Sequence, residues 1–559
     1  MGDEMGSANT SRRSFIALGA AVGAMAVGSG SLSALAKDGE KVESSRKGDV
    51  ASAGADAKTD AQAPLLMPNP TGIEFHPPVE GESAFIATPV KESEITETVT
   101  TDVVVCGAGM SGVTCALSAA QNGLNVVLLE KGQVFAARGT EVGAIGDRVH
   151  AEAGVELDPD KYLADAMATA HFRCDRNVWL RWIQRSGEAL DWAMDQCGDA
   201  CGKFFCVGGN VEFAGVTTWG TGVRCDNGIH SFVEALLNAA VAAGVDLRYE
   251  TPACQLVKDA SGRVAGVIAR NAEGEYVRFE AAKGVVLATG GYEHNWEMIS
   301  QRCRPRDMAA YAWNNPTVTD TGDGIAMGVA AGASEDDYPH ILMNDPAGAL
   351  TGERANGIMP AFLRVNANGE RFVNESLSFE YMTNAIMYQP GARDYVIMSG
   401  DLTAAVDAIK GGAPWSTEDM IATIEPVLIK ADTLEELAKT CGIDVDGLAK
   451  TVERYNELCD AGEDADFGKN PKALLPLREG PYYAVEESGT CLVTVNGLRT
   501  SARSEVLDLS ERPIPGLYAL GNSSGSMFFG TYPHHLSAIS HGRCVTFGYL
   551  LGRELAGIE

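Results

Sequence analysis

Close to the C-terminus, Tyr532, His534 and His535 place one phenol and two imidazoles within four consecutive positions of the segment FFGTYPHHLSAISHGR. A tyrosine hydroxyl can donate to an oxygen on which charge develops, and a histidine or tyrosine can deliver or remove a proton near neutral pH. Tyr532 suits the first task, whereas His534, His535, Tyr381 and Tyr338 are candidates for the second. Adjacent side chains in an extended segment point to opposite sides, so only one of the two histidines can face a given site. Each tyrosine also has an ordinary role open to it, as a core residue with its hydroxyl tied to backbone.

A second constellation lies far upstream, in TDVVVCGAGMSGVTCALSAAQNGLNVVLLEKG. A β-branched run over residues 103–105 leads into Gly107-x-Gly109-x-x-Gly112, then a helix of small residues, then an apolar strand that ends in Glu130. Gly107 permits the tight turn, Gly109 lets backbone approach a pyrophosphate, and Gly112 lets helix and strand pack closely. The turn and first helical residues, Ala108, Met110 and Ser111, then offer N–H groups and the positive end of the helix dipole to phosphate. Glu130 is placed to accept hydrogen bonds from a ribose. In this full strand, turn, helix, strand and acid setting the spacing predicts a bound dinucleotide.

Downstream segments say which one. GRVAGVIARNAEGEYVRFEAAKGVVLATGG reads as a β-meander followed by a buried strand that ends in Ala288-Thr289-Gly290, and IPGLYALGNSSG as a strand ending in Gly521-Asn522. With TGDGIAMGVAAGA from Thr321 and GERFVNES from Gly369, these segments resemble the fumarate reductase and ketosteroid dehydrogenase superfamily of FAD proteins over residues 98 to 556. The resemblance implies an α/β fold: a discontinuous Rossmann-like FAD-binding domain, residues 98–342 and 489–559, with an inserted α+β capping domain, residues 343–488. The helical pattern of DTLEELAKTCGIDVDGLAKTVERYNELCD agrees with the insertion. It further implies non-covalent FAD held by the residues above together with Lys131, Arg138, Gly139, Thr140, Gly143, Cys254, Asp323, Ser537 and Ile539. Many relatives carry a Gly-Gly-x-x-x-x-Ser-Gly-Gly run after the acid, where this chain has FAARGTEVGAIGD.

The resemblance also says what is missing. In the fumarate-reducing branch a cap arginine delivers the proton, and a histidine and a second arginine hold the substrate dianion. The matching positions here are Phe379, Leu492 or Val493, and Pro533. Burying a dicarboxylate without such partners costs several kcal/mol per charge, so fumarate or succinate is not the expected substrate. GTYPHHLSAI is instead similar to the ketosteroid dehydrogenase pattern, in which a tyrosine and a backbone N–H four residues later polarise a conjugated carbonyl. Those positions are Tyr532 and Leu536. The implied chemistry is hydride transfer between flavin N5 and the β-carbon of an activated alkene, with charge collecting on the conjugated oxygen. Reduction of a largely uncharged acceptor is expected, such as a steroid-like enone, a butenolide of the cardiac glycoside kind or a plant-derived enoate. The alternatives are the reverse, dehydrogenase direction and a flavin-bearing electron-transfer subunit without substrate chemistry.

Composition bounds the rest. With 75 acidic against 44 basic residues the formal charge is -31, which disfavours nucleic acid and anionic membrane surfaces. At the N-terminus, Arg12-Arg13 precedes a short apolar run that ends in Ala34-Leu35-Ala36. This is the pattern of a cleavable twin-arginine export signal over residues 1–36, shorter in its apolar part than the roughly 20 residues of a spanning helix. Residues 37–97 read as a solvated linker. Among the 13 cysteines, Cys197, Cys201 and Cys206 have the one spacing that raises a metal or cluster, but no C-x-x-C element supports it and no metal is expected. No C-x-x-C-H haem attachment occurs. An exported, periplasmic or cell-surface reductase therefore needs an external electron donor, a membrane-bound multihaem cytochrome or a quinol-linked protein.

Overall fold

The computed structural model describes residues 85, 88–207, 211–213, 216–304, 319–345, 362–377, 379–409 and 416–559. The proposed signal and most of the linker lie outside the described residues. Strand β1 (Ile95–Cys106) carries Val103, Val104 and Val105 with no exposed surface, as a parallel strand covered on both faces requires. It runs into helix α1 (Met110–Gln121), and then into β2 (Val126–Leu129), which pairs with β1 in parallel. The turn between β1 and α1 needs its glycines: Gly107 has φ +107°, and a Cβ on Gly112 would lie 1.9 Å from Gly107 O. Strand β3 (Asp246–Arg248) extends the parallel set beside β2. A meander follows, β4 (Ala253–Lys258), β5 (Val264–Arg270) and the long β6 (Tyr276–Leu287), which lies parallel to β1 from end to end. Helix α2 (Asp323–Ala330) closes this first part.

The chain leaves along β7 (Leu342–Asp345) and enters a separate antiparallel sheet, built from β8 (Leu363–Val365), helix α3 (Phe379–Ile386), β9 (Arg393–Ser399), β10 (Ile429–Ala431), α4 (Leu434–Cys441), α5 (Val445–Ala461) and β11 (Tyr482–Ser488). The sheet order is β8-β9-β11-β10. Leu437 of α4 and Leu448, Val452, Tyr455 and Leu458 of α5 are the buried faces of the two helices, and all but Leu458 join Leu363, Val365, Tyr395 and Ile397 in one core. Asp444 caps α5 by accepting from Gly447 N–H at 2.7 Å, and Gly462 ends it at φ 64°. Buried charge fixes the same region: Arg364 donates to Asp394 at 2.7 Å and Glu487 at 2.6 Å, and Arg371 donates to Glu375 at 2.8 Å and Asp464 at 2.7 Å.

The chain returns along β12 (Thr490–Thr494), antiparallel to β7, with Met343 opposite Val493. Outgoing and incoming strands are thus hydrogen-bonded to each other. β13 (Glu505–Leu507) and β14 (Pro513–Ala519) then complete the large eight-stranded sheet, in the order β13-β14-β6-β1-β2-β3 with β5 and β4 branching from β6. The final helix, α6 (Ile539–Leu555), lies directly on α1: Cβ atoms on Gly548 and Gly552 would meet Ser111 O at 2.9 Å and Ala119 N at 2.6 Å. Residues 431 positions apart are brought together this way, Ser118 Oγ donating to Tyr549 O at 2.7 Å, so the stretches before and after the inserted sheet form one body. The linker ends earlier than its composition suggests. Val90 N–H already donates to Gln255 at 2.8 Å, and β1 starts at Ile95.

Candidate functional site

A cavity of about 710 Å³ lies along the carboxyl ends of β1, β2 and β6, the edge of a doubly wound sheet where ligands bind. Among the expected cofactor residues, Gly107, Gly109, Met110, Ser111, Glu130, Lys131, Arg138, Gly139, Thr140, Ala288, Thr289, Gly290, Asp323, Gly521, Asn522 and Ser537 line it. A dinucleotide fits these walls. Above Gly109 there is open space, since a Cβ there would meet only Ala136 O at 4.0 Å, and that opening faces the first turn of α1, where phosphate is favoured. Burial pushes the Glu130 carboxyl up from the usual carboxylate range. Its two oxygens accept from Ala108 N–H at 2.8 Å and Gly132 N–H at 2.7 Å.

Five of the expected contacts have other places. Ala108 is buried and spends its N–H on Glu130, and Gly112 serves the packing of α1 on the turn. Gly143 donates to Ala538 O at 3.0 Å, where a Cβ would strike that residue's backbone. The Cys254 thiol donates to Pro252 O at 3.1 Å, and Ile539 is fully buried at the start of α6.

The tyrosine and histidine candidates separate cleanly. Tyr532 and His534 both line the cavity, with ring centroids 4.8 Å apart. The Tyr532 hydroxyl oxygen accepts from Ser540 N–H, in the first turn of α6, at 3.0 Å. That donor and the helix dipole favour negative charge on the oxygen, which strengthens the hydroxyl as a hydrogen-bond donor. His535 turns the other way and does not line the cavity. Its Nδ1 is 3.0 Å from Glu380 of α3 and its Nε2 is 3.3 Å from Thr169. Tyr381 also lies outside the cavity wall, hydrogen-bonded to Thr169. Tyr338 is 55 % exposed and donates to Glu335 at 2.9 Å. The backbone donor expected at Leu536 is already spent, on Pro533 O at 2.9 Å.

Leu492 and Val493 line the cavity beside Met343, Pro533 is buried outside it, and the side chain of Phe379 lies outside the described residues. Among the described residues, each lysine and arginine on the cavity wall faces a carboxylate. Lys131 meets Asp323 at 3.0 Å, Arg224 meets Glu141 at 3.2 Å, and Arg138 meets both Glu293 and Asp320, the latter at 3.1 Å. Burial would raise Glu293, but Arg138 outweighs it and holds the carboxyl below the usual range. Asp320, buried and facing Glu293, is held well above that range. The two carboxylates thus sit under one guanidinium.

Sequence reasoning missed several wall residues. Trp219 binds the C-terminal segment, its N–H donating to His535 O at 2.7 Å, while its carbonyl accepts from Ser537 Oγ at 2.9 Å. His541 lines the cavity with Nδ1 2.9 Å from Glu141 O. Burial lowers its pKa, so the ring is neutral with its proton on Nδ1 and Nε2 left as an acceptor. The only signal for His541 was its place seven residues beyond His534 in the same segment. Cys201 hydrogen-bonds to Cys197 and Cys225, not Cys206, and among the described residues no group of three or more potential ligands could hold a metal. All 13 cysteines are free thiols.

Residues 102–536 match the family model for an FAD binding domain. The vinyl phenol reductase of Lactiplantibacillus plantarum is 28 % identical over 81 % of this chain and 95 % of its own length. The fumarate reductase (cytochrome) of Shewanella frigidimarina is 30 % identical over 82 % of this chain and 77 % of its own. Among solved structures, a 3-ketosteroid-Δ4-(5α)-dehydrogenase from Rhodococcus jostii in complex with 4-androstene-3,17-dione shares the fold, with a TM-score of 0.66 and 24 % identity over 84 % of this chain and 99 % of that one.

Proposed function

Because the chain belongs to the FAD-binding fumarate reductase and ketosteroid dehydrogenase superfamily, whose members are oxidoreductases acting on C=C and CH–CH groups, we propose that it reduces the activated double bond of a largely uncharged organic acceptor. The observation that carries this reading is the cavity wall: among the described residues every lysine and arginine on it has a carboxylate partner, while Leu492, Val493, Met343 and Tyr532 supply its apolar part. A dianion entering such a wall would shed water without gaining a cation. The vinyl phenol reductase supports the same direction, since a vinyl phenol carries no carboxylate. Steroid-like enones, butenolides and plant-derived enoates fit the class.

FAD, when bound, supplies the electron pair that goes to the β-carbon. The chain's own residues do the rest. Tyr532 donates to the oxygen that gains charge, and Ser540 N–H steadies that hydroxyl. His534, on the same wall as Tyr532, is the proton donor for the α-carbon.

Export by the twin-arginine route and an external carrier, a multihaem cytochrome or a quinol-linked protein, complete the proposal; the name of the similar fumarate reductase (cytochrome) supports a cytochrome donor. Among the described residues no helix is long and apolar enough to cross a membrane. An anaerobic assay with reduced viologen and a panel of enones, butenolides and enoates tests the reading. Turnover of at least one neutral acceptor is expected, and reoxidation only by protein carriers would replace it with an electron-transfer role.

A further inference from the structure

Arg543, on the second turn of α6, is 1 % exposed and among the described residues has no carboxylate within ion-pairing distance. Its one short bond runs from Nη2 to Asn522 Oδ1 at 2.7 Å. Contacts to Val495 O and Ser524 O stand at 3.5 Å, the outer limit of a hydrogen bond, and Nε has no acceptor. The guanidinium lies 4.8 Å over the ring of Phe528. Burial lowers its pKa, opposed only weakly by Cys544, Tyr532 and Asp336 acting through space. Buried charges are otherwise paired in proteins, and the other deeply buried arginine, Arg364, has two carboxylates.

The place of Arg543 says what would pair with it. Asn522, which it holds, lines the cofactor cavity, and so do Ser540, His541 and Cys544 around it on α6. Because a guanidinium only donates, Asn522 must turn its oxygen toward Arg543, which leaves the amide NH₂ as the other end of that side chain. A cofactor taking up two electrons and one proton gains one negative charge. We infer that Arg543 is the buried counter-charge for that electron-rich state of the bound FAD, acting as a positioning residue through Asn522, and that it biases this protein toward holding the electron pair until an acceptor arrives. The inference rests on FAD occupying the cavity and not on the identity of the acceptor.

The test is the two-electron midpoint potential of the FAD-loaded protein, measured by equilibrium reduction against a reference dye, with the dissociation constant of oxidised FAD measured beside it. Arg543→Met should leave oxidised FAD binding within about threefold, yet weaken the preference for reduced FAD by tenfold or more. That corresponds to a potential lower by at least about 30 mV. Asn522→Leu should lower it in the same direction with Arg543 intact. An unchanged potential in a folded, flavin-replete Arg543→Met protein overturns the inference. If that variant fails to fold, Arg543→Lys decides: kept charge predicts a potential near the native one, and a tenfold loss there shows that shape and not charge was at work. Failure of the native protein to bind FAD would refute the cofactor assignment itself, a result separate from either outcome.

Discussion

At the scale of single residues, the C-terminal segment divides its polar groups between two jobs. Tyr532 and His534 face the cavity, while His535 joins Glu380 of α3 to the body of the FAD domain. Tyr532→Phe should therefore keep fold and flavin content but slow single-turnover alkene reduction by about 100-fold or more, the usual cost of losing one such donor. An unchanged rate would remove the hydroxyl from the chemistry and pass its role to His534. Glu380→Gln belongs to the other job. It should lower the melting temperature and increase proteolysis near α3, with a smaller effect on the rate per folded molecule, and a selective loss of rate at unchanged stability would mean that His535 acts on substrate after all. The alternation of the two histidines was legible from the sequence, because neighbouring side chains in extended backbone diverge. Which of them faced inward was not, since that depends on Glu380, 155 positions away.

At the scale of elements, the strand, turn and helix around Gly107, Gly109 and Gly112 could be read directly, because steric needs of the turn dictate both residue type and spacing. The stretch after Glu130 could not. Its Arg138 contacts Glu293 and Asp320, which come from the turn after β6 and the segment before α2. The cap's helices were visible in their period, whereas its buried ion pairs were not. Asp464 gives a measurable consequence. Burial tends to raise its carboxyl, but the paired bonds from Arg371 and backbone donors bring it from 3.8 to about 2. A carboxyl whose folded pKa lies below its unfolded value stabilises above the unfolded value, and that contribution is lost as pH falls through the interval between them. Cap stability should drop between about pH 4 and pH 2 for this reason. Asp464→Asn should flatten this part of the acid limb and cost about 2 kcal/mol at neutral pH, as read from urea unfolding across pH. An acid limb identical to the native one would show that Asp464 is not a source of it.

At the scale of the whole molecule, the cap and the FAD domain are tied where β7 and β12 pair, and Met343, Leu492 and Val493 of that ladder are also cavity wall. The same crossing that inserts one domain into the other therefore sets the polarity of the space beside the cofactor. Substrate charge is the property this arrangement controls most strongly. A matched pair of acceptors isolates it: fumarate and its dimethyl ester share the double bond and differ in two negative charges. The most direct measurement is anaerobic single-turnover reoxidation of the reduced, FAD-loaded protein by each. The cavity described here predicts that the uncharged diester reoxidises it at least about tenfold faster, since the dianion would lose hydration without meeting an unmatched cation. Fumarate reacting as fast as the diester, or faster, would contradict the account.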